Sequence, residues 1–233
     1  MKNIISLLKL IYSGLLEEDL YFKELFSDYE EYHATSKIST LSILRANLIS
    51  DWIKPYSSIL DVGCGEGFFM EFLSRTKNCK VYGMDVSKKA IEIVRSKGFK
   101  GIVRDIDENG LGLSENEKYD YILFVEVLEH LKYPHKVLIE ACKHVKEGVI
   151  VTLPNTGYIY WRLQMLRGYF PRQSFTHLHF WSINDFYIFL RQLHLKPLAL
   201  KTNLPTKGVR GLIARHFKNL LAYQQCWLIA PLE

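Results

Sequence analysis

Residues 58–69 read Ser58-Ile59-Leu60-Asp61-Val62-Gly63-Cys64-Gly65-Glu66-Gly67-Phe68-Phe69. A short apolar strand runs into three glycines at two-residue spacing, and a helical apolar pattern follows. Glycine lets the backbone turn sharply and approach a ligand where a β-carbon would collide. The helix behind it presents unpaired N–H groups at its first turn. A dinucleotide fingerprint reads GxGxxG and cradles a diphosphate. Here the spacing is GxGxG, and Glu66 stands inside it. A carboxylate there is a poor neighbour for a diphosphate but tolerates a zwitterionic or cationic ligand. Taken alone, the glycines also suit a tight strand-to-helix turn.

Outward from the loop the rhythm is regular. Residues 59–62 read as a strand, 68–75 as a helix, 80–84 as a strand ending at Asp85, and 88–96 as a helix. Residues 101–103 form a short strand before Asp105. Residues 121–125 are apolar throughout, as a central parallel strand buried on both faces would be. Pro134 opens a helix to about Val145, consistent with the preference of proline for a first turn, and 149–153 closes the series as a strand. Strands alternating with helices predict an α/β fold, a parallel sheet with helices on both faces. In such a sheet ligands collect beyond the carboxyl ends of the strands. Asp61, Asp85, Asp105 and Glu126 all fall at or just past such an end. A short carboxylate there can accept from both hydroxyls of a ribose or meet an exocyclic amine, although any one of them also suits a helix cap.

At 233 residues the chain can bury one substantial core. The cysteines Cys64, Cys79, Cys142 and Cys226 are scattered, with neither a CxxC pair nor a disulfide framework, which suits a reducing compartment. The first ten residues resemble a signal peptide, but Lys9 and Glu17-Glu18-Asp19 interrupt the pattern and no convincing cleavage site follows. No apolar run approaches membrane-spanning length, and the expected location is cytoplasmic. The formal charge of +5 is uneven: between Gly148 and Leu232 there are ten Lys or Arg and a single acid, Asp185. That half can steer an anionic substrate, face an acidic partner, or simply be a solvated basic surface. It carries no recognised nucleic-acid reader motif.

Before the glycine loop, residues 3–16 and 41–52 have helical apolar spacing, and Tyr29, Tyr32 and His33 lie in a polar stretch that reads as a surface or lid segment. We therefore divide the chain into an N-terminal helical cap or lid, 1–56, and a core, 57–233. After Pro154 the pattern breaks into an aromatic and basic insertion, 155–181, too long for an ordinary crossover loop. Ser182 can cap a helix from about Asp185 to Leu193. Residues 195–200 and 226–232 look like two late strands.

The segment 59-ILDVGCGEG-67, the run Met84-Asp85-Val86-Ser87 and the segment 119-YDYILFVEVLEHL-131 together resemble the class I methyltransferase fold that uses S-adenosylmethionine. Further along, 154-PNTGYIYWRLQMLRG-168, the run His177-Leu178-His179-Phe180-Trp181-Ser182 and 217-FKNLLAYQQCWLIAPL-232 resemble its MetW-like branch. The resemblance implies a Rossmann-like sheet of seven strands, the last antiparallel, in a three-layer α/β/α sandwich. It places the amino-acid end of S-adenosylmethionine against Asp61, Gly63, Cys64 and Gly65, with Gly67 helping the turn. It also puts Asp85 on the ribose, Val86 and Ile106 on either side of adenine with Asp105 near its amine, and Phe124 and Glu126 by the methionine portion.

Methyl transfer from a sulfonium needs an aligned nucleophile and a dry pocket. A general base helps when the acceptor is a hydroxyl or amine, and His130, Glu129, His177 and His179 are the candidates. His130 can equally serve to position the loop over the cofactor. Glu126, Glu129 and His130 form an ExxEH arrangement that resembles the metal-binding segment of certain RNA 2′-O-methyltransferases, with His177 or His179 as a further ligand. The same residues occur in small-molecule O-methyltransferases without a metal role, and the expectation is a site without metal. Tyr158, Arg162, Arg167 and Arg172 are the candidate acceptor-binding residues, suited to an anionic group, unless the aromatics pack against the sheet and the arginines face solvent.

The expected activity is methyl transfer to a small-molecule acceptor at oxygen, by a monomer or homodimer. The MetW-like branch is also associated with methionine biosynthesis and with a homoserine O-acyltransferase, so a partner role is the alternative. A metal-assisted RNA or sugar hydroxyl methyltransferase is a further one. A dehydrogenase is disfavoured by the GxGxG spacing and the ExxEH segment.

Overall fold

The computed structural model of the chain describes residues 40–170, 174, 176–204, 211, 214 and 216–232. The expected helix over 3–16, the aromatic stretch at 29–33 and Arg172 lie outside them. Helix α1 (Thr40–Ser50) leads into β1 (Ser58–Val62), α2 (Phe68–Lys77), β2 (Lys80–Asp85), α3 (Lys88–Ser96), β3 (Lys100–Val103) and the short α4 (Ile106–Asn109). Then come β4 (Tyr119–Val125), a 3-10 turn (Leu128–His130), α5 (Pro134–Lys143), β5 (Val145–Pro154) and α6 (Ile159–Leu166). Helix α7 (Ile183–Gln192), β6 (Pro197–Thr202), α8 (Lys218–Leu221) and β7 (Gln224–Ile229) complete the order.

The seven strands form one sheet in the order β3-β2-β1-β4-β5-β7-β6. The pairings among β1 to β5 are parallel, and β7 runs antiparallel to both β5 and β6. Strand β1 has β2 on one side and β4 on the other, so the chain reverses its direction of winding there. In an open parallel sheet that reversal opens a crevice at the carboxyl ends of the two strands. The glycine loop leaves β1 into this crevice.

Alternation along each strand divides the core between the two faces of the sheet. On one face Leu60, Val62, Ile122, Phe124 and Val151 pack with Val137, Leu138 and Ala141 of α5 and with Phe186 and Leu190 of α7. On the other, Ile59, Val81, Leu123 and Ile150 pack with Ala46 and Ile49 of α1, Met70 and Leu73 of α2, and Ile91 and Val94 of α3. The three-layer sandwich follows from these two dry faces. Helix α1 is thereby part of the core, and Ala46, Ile49 and Ile53 are buried in it.

The expected boundaries differ from the observed ones in instructive places. The helix expected to reach Val145 ends at Lys143, and Val145 opens β5, which is ten residues long. The late strands begin at Pro197 and Gln224 rather than at 195 and 226. The insertion contains a helix, α6, that the aromatic composition concealed. Ser182 does cap α7: its hydroxyl accepts from the Asp185 N–H, and the Asp185 carboxylate accepts from the Ser182 N–H, a reciprocal capping box.

Candidate functional site

The loop after β1 is built on three left-handed residues. Gly63, Gly65 and Gly67 have φ of 70°, 52° and 85°, a region that L side chains enter at a cost of about 1 kcal/mol or more. At Gly63 the restriction is also steric, because a β-carbon would collide with Cγ2 of Val127. The loop is tied to the next strand by its own backbone: the N–H groups of Gly63 and Cys64 donate to the Met84 carbonyl at 2.7 and 3.1 Å. Gly67 then stands at the N-terminus of α2. Cys64 is packed into the core beside it, and burial pushes its thiol far above the ordinary range. It is an inert wall of the loop.

Two carboxylates frame the loop. Asp61, on the last turn of β1, is 1% exposed, and its Oδ2 has no hydrogen-bond partner. Burial, followed by repulsion from Asp85, pushes Asp61 up to about 8. Asp85, at the end of β2, accepts the Gly65 N–H on one oxygen at 2.8 Å and the Ser87 N–H on the other at 2.9 Å. It therefore holds the glycine loop in shape, and each oxygen keeps a lone pair for a further donor. Val86 is half exposed beside it, and Ile106 is buried. Asp105 caps α4, its Oδ1 accepting from the N–H groups of Asp107 and Glu108. Phe124, expected beside a ligand, has no exposed surface and belongs to the core on the α5 and α7 side.

Beyond β4 the chain makes a second irregular exit. Glu126 has φ of 57°, an unusual conformation for a non-glycine residue. Its carboxylate accepts from Arg45 of α1 at 2.9 Å, from Thr152 of β5 at 3.0 Å and from Gln224 of β7 at 3.3 Å. Glu126, expected to lie by a ligand, is in this structure the centre of a polar knot joining four elements. Arg45, Thr152 and Gln224 were not among the expected site residues. One signal for Arg45 was legible, a single cation inside the apolar helical run Ser42–Ile49, since a charge on a core-facing helix needs a partner.

Three residues further on, Glu129 is 1% exposed and neither carboxylate oxygen has a hydrogen-bond partner. Burial, and then the nearby Glu126 charge, pushes it well above the usual carboxylate range. Its carbonyl accepts the N–H groups of Leu178 and His179 at 2.8 and 3.1 Å, so the insertion is strapped to this turn. Nδ1 of His130 lies 3.3 Å from the Thr176 carbonyl. His177 meets the His130 ring edge-on at 4.6 Å between centroids. Burial lowers both imidazoles, His177 to about 4, where His130 adds to the effect. Both shifts favour the neutral imidazole. One ligand-type atom from each of Glu129, His130 and His177 lies within 4.8 Å of the others. His179, the fourth base candidate, points elsewhere and stacks on Trp181, with centroids 4.9 Å apart and planes 7° from parallel.

Of the expected acceptor-binding set, the described members Tyr158, Arg162 and Arg167 are each engaged locally. Tyr158 stands at the start of α6 with its ring 6.1 Å from that of Tyr223. Arg162 is exposed, and its Nε donates to the Gly157 carbonyl at 2.8 Å, closing the turn before its own helix. Arg167 is exposed and lies over Tyr169. These arginines serve the local geometry and the solvent face. Among the described residues no helix is long and apolar enough to cross a membrane.

The family profile described as "Methionine biosynthesis protein MetW" matches residues 45–229, from α1 to the last strand. The chain belongs to the MetW family. A relative named "Ubiquinone biosynthesis O-methyltransferase" from Paraburkholderia xenovorans is 26% identical over 171 residues, covering 69% of this chain and 71% of the relative. A mitochondrial protein of the same name from Candida albicans is 29% identical over 119 residues, 48% of this chain but only 36% of that protein's length. Among solved structures, an S-adenosylmethionine-dependent methyltransferase from Archaeoglobus fulgidus superposes with a TM-score of 0.58 at 18% identity, covering 94% of this chain and 99% of that one. The MetW-family chain thus has the class I methyltransferase fold.

Proposed function

We propose that this MetW-family chain is an S-adenosylmethionine-dependent methyltransferase acting on a hydroxyl of a small molecule. The observation that carries the cofactor is Asp61. A buried carboxyl with an unpartnered oxygen, set under a left-handed glycine loop at the topological switch point, suits a cationic amino end and no diphosphate. Asp61 would take the ammonium against the Gly63–Gly65 turn, and Asp85 the ribose hydroxyls, with Val86 and Ile106 against the adenine. S-adenosylmethionine supplies, when bound, an electrophilic methyl group on its sulfonium.

What remains for this chain is positioning, exclusion of water and care of one proton. Glu129, His130 and His177 are the polar groups beyond β4 that the knot around Glu126 does not use. Two neutral imidazoles there suit an acceptor that must lose a proton, which favours a hydroxyl over a carboxylate. If Nδ1 of His130 carries the proton and donates to Thr176, its Nε2 is left as the acceptor. The names of the relatives, O-methyltransferases of ubiquinone biosynthesis, support oxygen as the acceptor atom. Arg162 and Arg167, engaged with the Gly157 carbonyl and Tyr169, lend no support to an anionic acceptor.

The test is calorimetric titration with S-adenosylmethionine and S-adenosylhomocysteine, followed by transfer of labelled methyl to a panel of phenols and catechols. Near-stoichiometric binding that Asp85→Ala weakens at least tenfold, together with turnover on a hydroxyl acceptor, is the expected result. Absence of binding by folded wild-type protein would remove the cofactor, and with it the reaction. A second reading is the expected alternative, in which the chain acts as a partner of a homoserine O-acyltransferase; the family description, a methionine biosynthesis protein, is consistent with that setting. The exposed side of α6, with Leu166 84% exposed and none of its residues buried, suits a contact surface. Saturable association with that enzyme, without any methyl acceptor, would favour it.

A further inference from the structure

We infer that Glu129, His130 and His177 form a three-residue site for a divalent first-row transition ion, bridging the exit of β4 to the insertion. The inference does not need the methyltransferase reading, and it replaces that reading's imidazole base, since a ring nitrogen that holds the ion is no longer free to take a proton. The first support is convergence: the three ligand atoms come from two segments forty-seven residues apart and lie within 4.8 Å of one another. The second is Glu129 itself. A buried carboxyl group whose oxygens meet no donor leaves polar atoms unsatisfied at a cost, and both of its oxygens are in that condition at 1% exposure. Arg45, whose charge reaches Glu129, is already committed to Glu126 and Gln224. A cation supplies what this carboxylate lacks.

The surroundings are those of a ligand set held ready. A metal-binding imidazole generally donates its other ring N–H to a carbonyl or carboxylate, which fixes its tautomer and orientation. His130 has the Thr176 carbonyl in that place. The insertion is already clipped to the Glu129 carbonyl by the N–H groups of Leu178 and His179, so His177 arrives at the site without a loop having to close. Two nitrogens and one carboxylate select a borderline ion such as Zn²⁺ or Co²⁺ over Mg²⁺ or Ca²⁺, which take oxygen. Three protein ligands leave coordination positions for water or for an acceptor oxygen.

The geometry also decides between residues that the ExxEH spacing treats alike. Glu126 is not among the converging atoms, and its oxygens are engaged instead by Thr152 on one side and by Arg45 and Gln224 on the other. His179 is excluded too: its ring nitrogens are not among the atoms that converge with Glu129, His130 and His177, and its ring lies instead against Trp181. The four cysteines are buried and free, so no thiolate competes at the surface.

The full chain, stripped with a chelator, is titrated with ZnCl₂ by calorimetry and with CoCl₂ by visible absorption. Wild-type protein is expected to take one equivalent of each. Glu129→Gln and His177→Ala are each expected to weaken binding at least tenfold, and His179→Ala to leave it unchanged. Circular dichroism and S-adenosylhomocysteine affinity in chelator show whether each variant is folded, independently of metal and of turnover. Absence of a stoichiometric site in the wild type would overturn the inference. So would unchanged affinity in folded Glu129→Gln and His177→Ala, or loss confined to His179→Ala.

Discussion

The protonation of Asp61 makes cofactor binding a pH-dependent event whose slope is predictable. In the ligand-free chain burial and the neighbouring Asp85 push Asp61 up to about 8, so below that pH it is a neutral acid. A cationic amino end placed beside it stabilises the ionised form, and binding then expels the proton. Each unit between the pH and this value weakens binding by about 1.4 kcal/mol, or about tenfold. From pH 6 to pH 8 the dissociation constant for S-adenosylmethionine should therefore fall by about fiftyfold, approaching about a hundredfold on the plateau above. Close to one proton should be released per cofactor at pH 6, read from calorimetric heats in buffers of different ionisation enthalpy. Asp61→Asn keeps the shape and removes the proton. Its affinity should be flat over the same range, apart from the cofactor's own amino titration, which both proteins share. A wild-type affinity independent of pH, or an equal slope in Asp61→Asn, would refute the reasoning.

The same residue sets a stability trend. An acid whose folded value lies above its unfolded one stabilises the fold fully below the unfolded value, and that contribution is lost as pH rises through the folded value. Urea midpoints of the ligand-free chain should thus decline from about pH 4 to about pH 8, and less steeply in Asp61→Asn. Gly63→Ala should abolish measurable cofactor binding, since the new methyl meets Val127 at a left-handed position; Gly63→Ala with Val127→Ala should recover stability in part, by thermal unfolding. Arg45→Met leaves the partly buried Glu126 without its cation and should destabilise by about 1–3 kcal/mol in urea unfolding, with Glu126→Gln in the same chain restoring some of it. Ser182→Ala removes one arm of the capping box and should lower stability by about 1 kcal/mol without altering cofactor affinity.

What the sequence determined by itself is what rests on local rules. Strand and helix periodicity, the proline opening α5 and the serine capping α7 are properties of neighbouring residues, so they are legible one segment at a time. The glycine spacing is likewise local, because left-handed backbone at residues 63, 65 and 67 is a restriction on each residue's own dihedrals. From these the α/β class and the crevice beyond β1 followed. Helix α6 escaped because its eight residues bury nothing, and without a buried face there is no apolar period to read.

Tertiary structure decided which of the named side chains meet. Glu126 and Glu129 are three residues apart and chemically alike, yet one is saturated with donors and the other has none. The difference lies in Arg45 and Gln224, residues 81 and 98 positions from Glu126, brought in by a helix and a strand from opposite ends of the chain. His177 and His179 are likewise equivalent on paper. The stacking of His179 on Trp181 leaves His177 to face His130. Ionisable groups report the sum of their surroundings, and those surroundings are assembled only when distant segments pack.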